Sequence, residues 1–193
     1  MILFIHGFAS CGLGEKSRAL GEYFGIKQVL TPNLSHEPET ALQQLEQLIE
    51  QHPVDLLVGS SLGGYYATWL NRGPRQPIPT VLINPAIAPF QQLEDYIGMH
   101  QRWCDGEPFS LNRQHIDTFK SLYREQLREN ERYLVLLQSN DEVLDYRLAA
   151  AYYARKDVII EQGGSHRFDH FENQLPRITT WREHNAKESQ SPA

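Results

Sequence analysis

The pentapeptide GSSLG at residues 59–63 separates an apolar run, Asp55–Val58, from a helical pattern, Leu62–Asn71. A strand that passes directly into a helix must turn sharply, and the central residue of the turn takes a strained backbone conformation. Side chains two positions to either side would collide, which explains the flanking glycines. The segment therefore matches the G-x-S-x-G nucleophile elbow, with Ser61 at its centre and Ser60 as a small neighbour. The alternative is a glycine-rich turn that carries no reaction.

Short apolar runs alternate with longer helical patterns along most of the chain. The six candidate strands are Ile2–Ile5, Gln28–Leu30, Asp55–Val58, Thr80–Ile83, Tyr133–Leu137 and Val158–Ile160. The candidate helices are Lys16–Phe24, Glu39–Gln51, Leu62–Asn71, Tyr146–Arg155 and Phe171–Glu183. Strands without strict alternation are typical of sheets buried on both faces. The pattern predicts an α/β fold, a mainly parallel six-stranded sheet with helices on both faces.

One segment breaks this alternation. Residues 89–130 contain no convincing strand and carry aromatic residues among polar ones. We expect a short, mostly helical insertion after the fourth strand that lies like a lid over one end of the sheet. The sequence thus predicts a single domain over residues 1–185, with the insertion at 89–130, followed by a polar and disordered tail at 186–193.

Charge and cysteine content limit the classes of partner. The net charge of −6 disfavours binding to nucleic acid or to anionic membranes. Cys11 and Cys104 are too few for a disulfide framework. One bridge could form, but we expect two reduced thiols and treat Cys11 as a small buried residue. With no signal peptide and no apolar run of spanning length, a cytoplasmic location is expected. The sequence does not indicate the oligomeric state.

A serine nucleophile needs a base and an orienting acid, which follow it in the order acid, then histidine. Asp141 comes in the loop just after the strand Tyr133–Leu137, at the carboxyl end where active-site loops gather. Glu142 and Asp145 compete for this role, although Asp145 is better placed to cap the next helix. His166 follows the strand Val158–Ile160 and two glycines, and is the predicted base.

The tetrahedral intermediate of acyl transfer needs two hydrogen-bond donors. We expect the backbone N–H of Leu62, after the nucleophile, and that of Phe8, in the loop after the first strand. The neighbouring His6 is expected to be structural. Tyr65 and Phe90 are positional guesses for residues that line the acyl pocket.

Two motifs that would point to other chemistry fail on inspection. GFASCGLGEKS stands where a phosphate-binding loop would, but Glu15 replaces the glycine that must precede the Lys-Ser pair. HRFDH, residues 166–170, imitates a metal-binding helix but follows two glycines and has no evident third ligand. No cofactor and no metal are therefore expected.

Five segments, FIHGF, VGSSLGGYYATWL, INPA, DEVLDY and GGSHRF, together resemble the YqiA/YcfP-type bacterial esterases, a small branch of the α/β-hydrolase superfamily. The resemblance runs in order from residue 1 to about residue 175. It implies a compact α/β-hydrolase fold and hydrolysis of carboxylic esters, with acyl-CoA thioesters as a further substrate class. Carried over, Ser61 matches the nucleophile, Asp141 the acid and His166 the base. The loop Cys11–Ser17 and the region Met99–Asn130 depart from the pattern.

The sequence therefore predicts a serine hydrolase that acts on small-molecule esters of short or medium acyl chains through an acyl-enzyme. Two alternatives stay open. The same acyl-enzyme could pass its acyl group to an alcohol or amine, which would make the protein an acyltransferase. A non-catalytic binding module on the same fold is the other alternative.

Overall fold

A computed structural model describes residues 1–72 and 76–188 of the chain. The strands are β1 (Ile2–Ile5), β2 (Val29–Leu30), β3 (Leu56–Ser60), β4 (Thr80–Ile83), β5 (Gly98–Gln101), β6 (Pro108–Leu111), β7 (Tyr133–Gln138) and β8 (Asp157–Glu161). The α-helices are α1 (Glu15–Phe24), α2 (Pro38–Gln51), α3 (Leu62–Leu70), α4 (Pro89–Leu93), α5 (Arg113–Ser121), α6 (Tyr146–Tyr152) and α7 (Leu175–Glu188). In this described part, no helix is long and apolar enough to span a membrane.

Six strands form one sheet in the order β2-β1-β3-β4-β7-β8, and every neighbouring pair is parallel. The predicted six-stranded sheet is confirmed. The order reverses between the second and third strands of the sheet, where β1 lies beside β3 and Ile5 is in register with Gly59. The loops that leave β1 and β3 therefore meet at the carboxyl edge, the place where ligands bind in open parallel sheets.

The core consists of two apolar layers, one on each face of the sheet. Alternate side chains of β1, β3, β4 and β7 enter each layer because successive residues of a strand point to opposite faces. One layer packs against α2, α3, α5 and α6, and the other packs against α1 and α7. Burial on both faces accounts for the nearly continuous apolar strands, such as Tyr133–Gln138, in which every residue is buried.

The insertion contains an element that the sequence did not indicate. Besides α4, α5 and one 3-10 turn at Glu94–Tyr96, it forms an antiparallel two-stranded ribbon from β5 and β6. The ribbon strands, GMHQ and PFSL, contain no β-branched residue and begin with glycine or proline. Local preference for strand is therefore weak there, and the ribbon depends on pairing between its two strands.

The C-terminal helix also differs from the prediction. Phe171–Gln174 form a 3-10 turn, and α7 begins only at Leu175. Pro176 in its first turn suits a helix start, because proline has no N–H to place in the helical ladder. The helix then continues to Glu188, three residues into the predicted tail. The remainder of that tail, residues 189–193, lies outside the described residues.

Candidate active site

The strand-to-helix turn between β3 and α3 has the strained geometry that the elbow motif requires. Ser61 has φ 55° and ψ −121°, a conformation that side chains rarely adopt. A side chain at Gly59 would come within 2.5 Å of the carbonyl oxygen of Gly63, and one at Gly63 would overlap the backbone of Ile5. The glycines are thus required by contacts of the turn with itself and with β1. Gly64 packs against Pro85 in the same way.

The side chains of Ser61, His166 and Asp141 form one hydrogen-bonded chain. His166 Nε2 lies 3.0 Å from Ser61 Oγ, and His166 Nδ1 lies 2.9 and 3.0 Å from the two oxygens of Asp141. This arrangement fixes the imidazole tautomer, because the carboxylate can only accept and so requires the proton on Nδ1. Nε2 then has a free lone pair directed at the serine hydroxyl, the arrangement of a nucleophile with its base.

Asp141 is held rigidly in the loop after β7. Its side chain is 1% exposed, and Oδ1 accepts hydrogen bonds from the backbone N–H groups of Val143 and Leu144, at 2.9 and 2.8 Å. The loop folds around the carboxylate, so its orientation toward His166 is set by the backbone.

The two competing acids occupy different places. The Asp145 side chain accepts from the backbone N–H of Arg147 and caps α6, as its position suggested. Glu142 does reach the base, but at the main chain: its Oε2 accepts from the backbone N–H of His166, at 2.9 Å. Only Asp141 contacts the imidazole among these three acids.

The loop after β1 lies directly against the elbow. A side chain at Gly7 would contact Ser61 Cβ at 3.1 Å, so glycine is needed for this close approach. Phe8 follows it and lines the same cleft as Ser61 and Leu62. Leu62 is the first residue of α3, where helical N–H groups have no partner within the helix. The two backbone groups predicted as oxyanion donors thus lie in the loop after β1 and at the start of α3, and their role remains a prediction.

His6 connects this loop to the segment that precedes α2. Its Nε2 accepts from the backbone N–H of Leu34 at 3.1 Å, and its Nδ1 lies 2.9 Å from the carbonyl oxygen of Gly7. Burial lowers the pKa of His6 below its ordinary value of 6.5. A neutral imidazole with the proton on Nδ1 satisfies both contacts, which fits a structural role.

A cleft of about 1500 Å³ opens in front of Ser61. One wall comes from the loop after β1, a second from the loops that carry Leu144 and His166, and a third from the insertion. The insertion contributes Tyr96, Met99 and Trp103, whose side chains are exposed. The cleft is larger than a short ester requires and mostly apolar, with Lys16 and Arg167 among its lining residues.

The two guesses for the acyl pocket are wrong in position. Tyr65 is 4% exposed, and its hydroxyl donates to the carbonyl oxygen of Phe119 at 2.5 Å. Phe90 packs edge-to-face against Tyr123. Neither belongs to the described residues that line the cleft. Both face inward because α3 and α4 turn these positions toward the core layer shared with α5, which periodicity alone could not show.

The cysteines also differ from expectation. Cys11 and Cys104 form a disulfide, with their Cα atoms 6.3 Å apart. The prediction of two reduced thiols is wrong for this structure, because the ribbon of the insertion folds back onto the loop after β1. A hydrogen bond from Trp103 N to the carbonyl oxygen of Ala9, at 2.9 Å, joins the same two segments. Cys11, Cys104 and Asp105, which are residue types that can bind a metal ion, lie close together here. The two cysteines are joined in a disulfide, however, and a disulfide offers no thiolate to a metal.

Sequence inspection missed the polar residues that hold the loop of His166. Gln138 is 4% exposed, and its Oε1 accepts from the backbone N–H groups of Ser165 and Asp169. Lys16 Nζ donates to the carbonyl oxygen of Arg167 at 2.6 Å. The glutamine that ends the otherwise apolar strand YLVLLQ was the available signal, since a polar side chain in such a place must find partners.

A model of the family described as "Uncharacterised protein family (UPF0227)" matches residues 1–183. A UPF0227 protein of Serratia proteamaculans is 25% identical over 193 residues, covering 94% of this chain and 98% of its own.

Solved structures show the same fold at lower identity. Est1E from Butyrivibrio proteoclasticus, solved with ferulic acid bound, superposes with a TM-score of 0.67 at 14% identity, covering 98% of this chain and 89% of its own. Mouse alpha/beta hydrolase domain-containing protein 10 superposes with a TM-score of 0.69 at 18% identity, covering 97% and 90%. The fold is that of the α/β hydrolases.

Proposed function

The chain belongs to the UPF0227 family, and from that premise we propose that it is a serine hydrolase that cleaves carboxylic esters through an acyl-enzyme. Short and medium acyl chains are the proposed substrates, and acyl-CoA thioesters are a second class to test. The proposal includes the closer kinship to YqiA-type esterases that the sequence motifs suggest. The esterase and hydrolase names among the structural neighbours agree with this reaction class.

One observation carries the proposal. Ser61 stands at a strained strand-to-helix turn with its hydroxyl 3.0 Å from His166 Nε2, while Asp141 holds the other ring nitrogen. A serine with a purely structural role would need neither a strained backbone nor a histidine beside its hydroxyl. Backbone strain is retained where the surrounding structure enforces it, and such positions cluster at active sites.

The geometry supports a sequence of proton transfers with named groups. Ser61 Oγ attacks the acyl carbon as His166 Nε2 takes its proton, and Asp141 stabilises the resulting imidazolium. The N–H groups of Phe8 and Leu62 donate to the oxyanion, each worth about 3 kcal/mol in such sites. His166 next donates its proton to the leaving alkoxide or thiolate. Water, with His166 again as base, then releases the acid and regenerates the serine.

Covalent labelling with a fluorophosphonate tests the nucleophile directly. We expect the wild type and Ser60→Ala to label and Ser61→Ala not to label, with turnover of p-nitrophenyl acetate and butyrate following the same pattern. Ser60→Ala is the matched control because it removes the neighbouring hydroxyl of the same turn. Labelling that persists in Ser61→Ala would exclude Ser61 as the nucleophile.

The alternatives separate in the same assay. If added alcohols or amines capture the acyl group faster than water does, the protein is an acyltransferase. If the folded wild type neither labels nor turns over any ester or thioester, a binding module becomes the better interpretation.

A further inference from the structure

Asn84 is a buried polar residue at the carboxyl edge of the sheet, directly after β4. Asn84 is only 2% exposed, and its backbone φ is 41°. Asparagine accepts this left-handed conformation more readily than most residues other than glycine. The position therefore needs a special backbone conformation and, since it is buried, partners for a side-chain amide.

The side-chain amide of Asn84 contacts three backbone groups on two other segments. Its Nδ2 donates to the carbonyl oxygens of Ser165 and His166, at 3.0 and 3.3 Å. Its Oδ1 accepts from the backbone N–H of Gln138, at 3.0 Å. The amide supplies both a donor and an acceptor here, which a carboxylate cannot do because it has no N–H to donate.

These contacts lead to the acid and to the base. The carbonyl oxygen of Gln138 accepts from the N–H of Asp141 at 3.2 Å. Gln138, whose N–H Asn84 binds, is therefore also the first residue of the turn that carries Asp141. The side chain of Gln138 accepts from Ser165 N at 3.0 Å. The peptide groups on either side of Ser165 are therefore held by Gln138 and Asn84.

The same short segment also holds the nucleophile. Ser61 N donates to the carbonyl oxygen of Ile83 at 3.0 Å, and Ala86 N donates to the carbonyl oxygen of Ser61 at 3.1 Å. Residues 83–86 thus bond to the elbow through their backbone and to the base loop through the side chain of Asn84. A displacement of the base relative to the serine would break the contacts of Asn84.

We propose that Asn84 is a positioning residue that fixes the backbone of His166 at the distance where its imidazole meets both Ser61 and Asp141. The inference rests on the proposed hydrolase function. Asn84 does not line the cleft among the described residues, and it acts through the loop that carries His166 and, by way of Gln138, through the turn that carries Asp141. Removing its contacts should leave the base less well held, and misplacement of about 1 Å can cost about 100-fold in rate.

The test compares two substitutions at Asn84 with one at a second buried asparagine. Asn84→Gly removes the side chain without straining φ, and Asn84→Asp keeps its shape but loses the donors. Asn71 is 3% exposed and bonds to Ile78 at the opposite end of β4, so Asn71→Asp is the matched control. The measurements are the rate constant of fluorophosphonate labelling, kcat and KM for p-nitrophenyl butyrate, the unfolding midpoint, and the low-field proton resonance of His166 Nδ1–H.

We expect both Asn84 variants to label about 10- to 100-fold more slowly, with the loss in kcat rather than KM and with a shifted or broadened His166 resonance. Asn71→Asp should lose stability while labelling at the wild-type rate, because the two sites share no partner. Folded Asn84 variants that label at the wild-type rate with an unchanged resonance would overturn the inference. So would loss of folding in both Asn84 variants, which would make Asn84 a core residue. If the wild type itself does not label, the proposed function fails, and the resonance still decides whether Asn84 positions His166.

Discussion

The carboxyl edge of the sheet and the insertion face each other across the cleft, yet they are built in opposite ways. At the edge, polar side chains are buried and hydrogen-bonded, as Asp141 and Asn84 are. In the insertion, large apolar side chains are exposed, with Met99 at 72% and Trp103 at 82%. A buried polar network has one arrangement, whereas an exposed apolar surface accepts many shapes. For the hydrolase function that we propose, the edge is thus suited to fix the chemistry and the insertion to select among substrates.

The largest loss of activity should come from replacing Asp141, the acid at the carboxyl edge of the sheet. Asp141→Asn removes the group that holds the proton on His166 Nδ1, and we expect kcat to fall about 10⁴-fold. Asp145→Asn, four residues later, changes a helix cap and should cost little activity. Steady-state kinetics of both variants with p-nitrophenyl butyrate make the comparison. Equal losses in the two variants would mean that Asp141 has no special relation to the base.

The disulfide is the covalent link between the two regions, and its removal should have the next largest effect. Cys11 and Cys104 close a loop with a sequence separation of 93, for which loss of the bridge costs about 4 kcal/mol of unfolding free energy. Cys104→Ser should lower the denaturant midpoint, and a reductant should lower that of the wild type but not of the variant. Titration of two free thiols in unreduced native protein would instead support the original expectation of reduced cysteines.

The turn at Ser61 should not tolerate even one added methyl group at Gly63. A side chain at Gly63 overlaps the backbone of Ile5 and His6, so we expect Gly63→Ala to lose about 3 kcal/mol of stability. Gly21 in α1 is the matched control, since a methyl there meets only ordinary contacts with Ile26, the nearest at 3.7 Å. Gly21→Ala should stabilise the protein by about 0.5–1 kcal/mol, because alanine favours a helix interior. Thermal unfolding of both variants decides, and a Gly63→Ala protein as stable as the wild type would contradict the packing described.

His6 should make the edge sensitive to acid. Burial lowers the pKa of His6 in the folded protein below 6.5. Just below pH 6.5, His6 is therefore protonated more often in the unfolded state than in the folded state. The unfolding free energy therefore falls as the pH drops below 6.5, by up to about 1.4 kcal/mol per pH unit, until the lowered folded pKa is reached. His6→Gln keeps an acceptor for Leu34 and should have a shallower dependence on pH in this range. Urea unfolding of the two proteins between pH 7 and 5 measures the difference, and parallel curves would show that His6 does not contribute.

The smallest effect should come from the insertion. Met99→Ala should raise KM for longer p-nitrophenyl esters about fivefold, a loss of roughly 1 kcal/mol of apolar contact. It should leave the rate of fluorophosphonate labelling unchanged. Kinetics over a series of acyl lengths measure the effect. If Met99→Ala weakens turnover of acetate and of long esters equally, the insertion contributes to the chemical step as well. The proposed difference between the edge and the insertion would then be wrong.

Much of the edge could be predicted because its requirements are local. The glycines around Ser61 follow from the turn itself, and Asp141 and His166 each follow an apolar strand in the expected order. The strands were also recognisable, since β1, β3, β4 and β7 are mostly apolar. The ribbon was not, because GMHQ and PFSL have only a weak strand preference of their own.

By itself, the sequence determined the parallel sheet, the elbow and the order of Ser61, Asp141 and His166. Each strand, helix and turn is indicated by a local side-chain pattern, and the order of these elements is read along the chain. Only the tertiary structure decided the disulfide between Cys11 and Cys104, the inward direction of Tyr65 and the contacts of Asn84 with the base loop. These features join residues far apart in the chain, and their distances are set by how helices and loops pack on the sheet. No local pattern contains that information.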